Sequence, residues 1–392
     1  MDARSWALAV ALSLGAAVSL GITRFAYGLL LPAMRIDLGW NYTLAGAMNT
    51  ANALGYFVGA LLTPRLLRSR GPGELLWAGA AAATVFMALS GFFTDAATLL
   101  VQRFAAGVAS AVVFVAGGLL AARLGTRYPG RGGLLLGMYY GGTGVGIVLS
   151  ALLVPWLLDL YAAQPHGWQW SWWALALVCA AGSVVLVWPA REMSRWALPT
   201  APAGNAGPQT FRWADFRFGL AGYTLFGVGY IGYMTFVVAL LRVQGSTALA
   251  VTVFYALLGC AVVASGRIWA GLLDRHRDGR PLGTLNALLG FATILPALTD
   301  WWPVVLGSGL LFGGVFLSVV ASTTALVRHN LPPAAWAAGI SAFTTVFAAG
   351  QIAGPTVVGW IADGPGGLAR GLVFSALALW AGAALAVRQK AL

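Results

Sequence analysis

The chain has 392 residues, 59% of them hydrophobic and only 9% charged, with a mean hydropathy of +0.81. Soluble domains carry about 25% charged residues, so an ordinary water-soluble globule is excluded. The net charge of +12 lies mostly in short loops between apolar runs. That pattern sets membrane orientation and argues against a nucleic-acid partner.

Twelve apolar runs follow one another, each near the length of about 20 residues that crosses a bilayer as a helix. The first predicted helix (6–32) is too long, and too poor in cleavage signals, for a signal peptide, so it is read as an uncleaved span. It contains "SLGITRFAYG", with Arg24, Tyr27 and Gly28 on one face. An arginine at that depth costs about 3 kcal/mol on insertion scales. It either snorkels to the outer headgroups or faces protein and water, where it can meet an anion.

The second helix (43–67) carries Asn49 and Asn52, and Gly55/Gly59 with small-xxx-small spacing. The third (74–94) is unmarked. The fourth (97–122) carries Arg103, which either serves coupling or bonds helix carbonyls. The fifth (132–158) carries Tyr140 and a second spaced pair, Gly137/Gly141. The sixth (169–190) opens on tryptophans. Trp168, Trp170 and Trp172, with Tyr42, Trp301 and Trp302, are expected to form the interfacial belt.

The longest connection, 191–213, is polar and rich in proline and glycine. It is expected to divide an N-terminal six-helix bundle (1–190) from a C-terminal one (214–392). The seventh helix (214–241) carries Tyr230 and Tyr233, and the eighth (247–273) carries Arg267, with Asp274 and Arg275 at its end. The ninth (282–299) and tenth (302–327) are apolar. The eleventh (335–362) carries Gln351 and stops at the turn signal Asp363-Gly-Pro-Gly-Gly, before the twelfth (367–387).

With the N-terminus placed in the cytoplasm, 17 of the 23 Lys and Arg fall in cytoplasmic segments, three on the opposite side and three inside helices. This is a positive-inside bias with both termini inside. Shifting the first half by 206 residues lays Gly21, Arg24 and Tyr27 on Gly227, Tyr230 and Tyr233, and Gly107 on Gly313. Such internal repeats mark transporters whose substrate path runs between the halves. The two cysteines, Cys179 and Cys260, lack ligand spacing, so no metal and no cofactor is expected. Neither an HExxH nor a GxSxG run exists, so no enzyme is expected.

All eleven acids lie in loops or at helix ends, so Arg24, Arg103 and Arg267 have no intramembrane carboxylate partner. Unpartnered buried charge is costly, and an anionic substrate would supply the partner. The lack of an embedded acid also argues against a cation exporter.

The layout resembles the major facilitator superfamily. "GRIWAGLLDRHRDGR" after the eighth helix resembles that family's loop signature, and "GALLTPRLLRSRG" is a degraded counterpart after the second. "LVQRFAAGVASA" resembles its arginine-x-x-x-glycine motif. "GMYYGGTGVG" is similar to its glycine-rich packing motif, without the antiporter proline. "GITRFAYGLLLPAM" with "ALGYFVGALL" looks like the bacterial YbfB/YjiJ-like branch. The resemblance implies an all-α membrane fold of two six-helix pseudo-repeats with a central cavity lined by the first helix. The Arg267–Asp274 arrangement is similar to carboxylate-transporting branches, where the corresponding arginine meets a substrate carboxylate. Its alternative role is at the cytoplasmic end, paired with Asp274 or helix carbonyls.

The expected function is secondary transport of a small carboxylate-type anion across the bacterial inner membrane by alternating access, as a monomer. Coupling to a proton or a counter-anion stays open. The alternative is an exporter of drugs or neutral metabolites. The expected substrate-binding residues are Arg24, Tyr27, Arg267, Tyr230, Tyr233, Asn52, Tyr140 and Gln351. Arg103, Asp274 and Arg275 are expected to couple or gate.

Overall fold

A computed structural model describes residues 3–128, 132–194, 211–332 and 335–392. The expected linker 191–213 lies mostly outside them, as do Arg131 and Arg195 of the orientation count. Twelve helical spans run through the described residues. They are α1 (Ala3–Asp37), α2 (Tyr42–Ser69), α3 (Pro72–Ser90), α4 (Ala96–Thr126), α5 (Gly132–Leu160), α6 (Trp168–Ser194), α7 (Arg217–Val243), α8 (Ala248–Arg275), α9 (Arg280–Leu298), α10 (Trp302–Asn330), α11 (Trp336–Asp363) and α12 (Gly367–Ala386). Eleven are long and apolar enough to cross a membrane. The twelfth, α2, is diluted by Asn49, Thr50 and Asn52 on its inner turns.

Ordinary local chemistry starts and stops these helices. Asn41, Asp95 and Thr247 cap α2, α4 and α8, each accepting from the backbone N–H three residues on. A proline in the first turn opens α3, α9 and α10, where its missing N–H is no loss. Gly366 and Gly367, both at positive φ, turn the chain from α11 into α12.

The two halves repeat one packing scheme. In the first, α1 lies on α5, α2 on α4 and α3 on α6; in the second, α7 lies on α11, α8 on α10 and α9 on α12. Glycines show the same correspondence in detail. Gly107 on α4 lies against the Asn52 carbonyl of α2, and Gly313 on α10 lies against the Leu258 carbonyl of α8, both members of the pair offset by 206 residues. Gly55 and Gly59 also bring α2 close to α4. Gly137 does not behave as its spacing suggested: a Cβ there would meet no atom within 4 Å. The close approaches of α5 are made instead by Gly142, Gly144 and Gly146.

The halves meet along α1–α7, α2–α11 and α5–α8. Contact is tight toward the end opposite the chain termini. There Gly28 abuts the Met234 carbonyl, Gly46 the Pro355 carbonyl and Gly144 the Gly259 carbonyl. Asp363, at the end of α11, accepts from Tyr42 N (2.7 Å), Thr43 N (2.9 Å) and the Thr43 hydroxyl (2.6 Å) at the start of α2. At the end carrying the termini the helices diverge. A Cβ on Gly141 would come no closer than 3.9 Å to Val263, and one on Gly133, Gly137, Gly266 or Gly271 would meet none of the described atoms within 4 Å. Among the described residues the protein is therefore closed at its far end and open at its terminal end.

Candidate functional site

The first helix is not continuous. Ala17–Ile22 winds as a π-helix, residues 23–26 form turns, and α-helix resumes at Tyr27. The turns that follow the π-helix present backbone carbonyls, and other helices bind them. Arg103 on α4 donates to Thr23 O at 2.8 Å, and Tyr255 on α8 donates to Phe25 O at 2.9 Å. Arg24 lies between these two residues. Irregular backbone at membrane depth is tolerated only where protein or a water-filled path surrounds it, and π-turns concentrate at functional sites.

Two arginines are buried here and their situations differ. Arg103 is 2% exposed and held by the protein through both terminal nitrogens, with only its Nε unbonded among the described residues. Its second terminal nitrogen donates to Asn49 Oδ1 at 3.1 Å, and its guanidinium lies 5.1 Å from the Tyr27 ring and 5.6 Å from the Trp172 ring. Asn49 in turn donates to Thr235 Oγ1 on α7 at 2.8 Å, so the network crosses between the halves. Arg24 is 3% exposed, and its Nη2 has no hydrogen-bond partner. Its guanidinium lies 5.6 Å from the Tyr56 ring and within electrostatic reach of the Tyr230 hydroxyl. It does not snorkel to a surface. Among the described residues every acid sits in a loop or a helix's terminal turns, and no ion pair includes Arg24.

The other residues singled out in the sequence divide into three sets. Tyr230 lies near Arg24 and donates to Gln351 Oε1 at 2.7 Å, bringing α7 and α11 to the same place. Tyr140, half-buried on α5, lies 5.3 Å from Phe114, which lies 6.3 Å from Tyr56. Tyr27, Tyr233 and Asn52 are fully covered and engaged by protein. Tyr27 donates to Ala45 O, Tyr233 shares a hydrogen bond with Ser308, and Asn52 donates to Arg103 O. Arg267, Asp274 and Arg275 are exposed on the terminal half of α8, where the helix breaks at Trp269; no ion pair joins Arg267 to Asp274 among the described residues.

Tyr56, Tyr255 and Thr235 were not singled out in the sequence. Tyr56 stands in "ALGYFVGALL", where an aromatic between glycines reads as packing. Trp172 does not belong to the interfacial belt. It is 1% exposed and stacks against the Arg103 guanidinium, because the first turns of α6 pack inward onto the bundle. Trp168 is also buried and bonds Asp37. Of the two cysteines, Cys179 is buried and Cys260 is exposed.

Residues 16–387 match the family described as "Uncharacterised MFS-type transporter YbfB". A protein of Agrobacterium vitis described as "Putative tartrate transporter" is 25% identical over 383 residues, covering 91% of this chain and 83% of that protein. Among solved structures, a bacterial homolog of the human lysosomal transporter Spinster, inward-facing and unoccupied, superposes with a TM-score of 0.72 at 15% identity. The superposition covers 99% of this chain and 97% of that one. The nucleoside transporter NupG gives 0.70 at 12% identity (98% and 99% covered), and the human organic anion transporter MFSD10 gives 0.66 at 15% (98% and 100%). At these identities the structures establish the shared fold.

Proposed function

The chain belongs to the family of MFS-type transporters described by YbfB, and from that membership we propose that it is a secondary carrier of a small organic anion. As a member it is a multi-pass membrane transporter, and family and fold are those of transport proteins. The observation that carries the anionic substrate is the free Arg24 guanidinium. It is a permanent charge, buried at the helix break where the halves meet, with a terminal nitrogen left unbonded. A buried unpaired charge costs several kcal/mol, and a carboxylate can relieve that cost by accepting from the guanidinium fork. The relative from Agrobacterium vitis, named for an organic acid, points weakly the same way.

In this reading the termini lie in the cytoplasm of a bacterial inner-membrane protein, and the present state is inward-open. The anion reaches Arg24 through the divergent ends of α5 and α8. Arg267 stands along that route as an entry charge, with Asp274 and Arg275 at its mouth. Closing this end and parting α2 from α11 at the other would complete alternating access. Arg103 ties α1, α2 and α7 together and is placed to couple occupancy to that motion. The halves 1–190 and 214–392 would then rock as two bodies.

Purified protein in liposomes, assayed with a panel of labelled carboxylates, tests the proposal. Arg24-dependent uptake of at least one anion is the expected result. Export of dyes that persists in R24Q, with no anion uptake, would establish the alternative, an exporter of drugs or neutral metabolites.

A further inference from the structure

Among the described residues Arg24 is the buried cation with a terminal nitrogen unbonded, and its surroundings are rings. On the side of α7, Phe226, Tyr230, Phe316 and Phe347 stack in one orientation. Centroids lie 4.8 Å (Phe226–Tyr230), 5.6 Å (Tyr230–Phe347) and 6.2 Å (Tyr230–Phe316) apart, with planes within 22° of parallel. On the opposite side, Tyr56 lies beneath Arg24 itself and leads through Phe114 to Tyr140. Tyr56, Phe114, Tyr140 and Phe347 all keep part of their surface uncovered. Apolar surface that stays uncovered between two ring walls favours a flat, apolar ligand body.

The charges around this slot set the ligand's valence. Both terminal nitrogens of Arg103 are already committed to Thr23 and Asn49, leaving only its buried Nε without a partner, and Arg267 lies on the exposed terminal half of α8. A second carboxylate at Arg24 would therefore be desolvated without a cation, against ring faces that are themselves electronegative. A ligand rich in hydroxyls loses one donor and one acceptor here, since the Tyr230 hydroxyl donates to Gln351 Oε1.

We propose that the substrate is an aromatic monocarboxylate, its carboxylate paired with Arg24 and its ring extending the Tyr230 stack. This rests on the anion-carrier reading above and narrows it. The aryl face takes the place of the open surface on Phe347 and Tyr56, and the single negative charge matches the Arg24 guanidinium, whose terminal nitrogen is unbonded among the described residues.

Benzoate is the test probe. Full-length protein in liposomes is assayed for labelled benzoate uptake at about pH 8, where nearly all of the acid is ionised and passive leak is small. Unlabelled benzoate, acetate and tartrate compete. Benzoate is expected to compete at least tenfold better than acetate or tartrate, and R24Q to abolish the uptake. F347L keeps bulk but removes the ring, so it should cut the preference for benzoate over acetate several-fold with an unchanged size-exclusion profile. Uptake of tartrate or acetate that depends on Arg24 and matches or exceeds that of benzoate would overturn the aromatic assignment and leave the anion carrier standing. An undiminished preference in both F347L and Y230L would also overturn it. Absence of any Arg24-dependent anion uptake would remove both.

Discussion

Helices α1 and α7 occupy equivalent places in the two halves and pack on equivalent neighbours, α5 and α11. Gly21 lets α1 approach Thr143 O, and Gly227 lets α7 approach Phe347 O. Yet α1 breaks into a π-turn and carries Arg24, while α7 runs unbroken from Arg217 to Val243 with Tyr230 at the matching position. The hydroxyls of α7 find protein partners, Gln351 for Tyr230 and Ser308 for Tyr233. The guanidinium at Arg24 does not. One half thus holds the charge in an unsatisfied state, and the other presents a satisfied, aromatic wall. Duplicated architecture fixes where residues stand, and the departures from symmetry mark where chemistry was added.

The sharpest way to break this comparison is at Arg103, which supports the break in α1. R103L leaves Thr23 O and Asn49 Oδ1 without their donor, at about 1–3 kcal/mol for each buried group. The expected outcome is a fall in thermal stability of about 3 kcal/mol in detergent, together with lost transport. R24Q should separate the two properties. Uptake falls roughly 100-fold, in line with a charge-assisted hydrogen bond of 1.5–3 kcal/mol, whereas the melting temperature holds or rises because an unpaired charge is gone. An R24Q protein that melts well below wild type would show Arg24 to be structural.

At the α1–α7 seam, a Cβ on Gly28 would stand 2.5 Å from Met234 O. G28A should disfavour closure of the far end by about 2 kcal/mol, the scale of overpacking. The check is increased labelling of a cysteine placed at the buried Val238, near the far end of α7, with the exposed Cys260 replaced by alanine. Y255F removes one of the two donors to Phe25 O, leaving Gly28 N–H, and should cost at most about 1 kcal/mol of stability. The smallest effects belong to the tyrosines of α7. Y230F should lower uptake a few-fold by releasing Gln351, whereas Y233F, remote from Arg24 and bonded to Ser308, should leave uptake unchanged and change only stability, by less than about 1 kcal/mol.

Much of the fold could be read from the sequence because a bilayer allows few solutions. Apolar length, the loops of arginine and the Asp363-Gly-Pro-Gly-Gly turn are local signals, and the offset of 206 residues recurs as paired glycine contacts. The break in α1 is different. Nothing between Ala17 and Ile22 is a helix breaker except Gly21. The break persists because Ser110 binds the Ser19 carbonyl inside the π-helix, while Arg103 and Tyr255, 80 and 230 residues from their partners, bind carbonyls of the turns that follow it. Trp172 was misread for a related reason: closeness to a helix end suggested headgroups, and only the tilt of α6 onto Arg103 shows otherwise. Arg24 and Arg103 look alike in the sequence, but their difference lies in which has oxygen acceptors within reach. That is a property of packing, and no spacing rule supplies it.

The Asp363 contacts at the far end have a practical side. The α2 partners are two backbone N–H groups and the Thr43 hydroxyl, and within α2 only a proline can delete an amide donor, leaving the other in place. The simplest genetic handle on the whole fastening is therefore the carboxylate on α11. An experimenter who wants the opposite conformation for crystallography or for raising conformation-specific antibodies need alter only that carboxylate, for instance as D363A. Because both chain ends and the expected substrate path lie elsewhere, tags and ligands can stay in place while the trap is set.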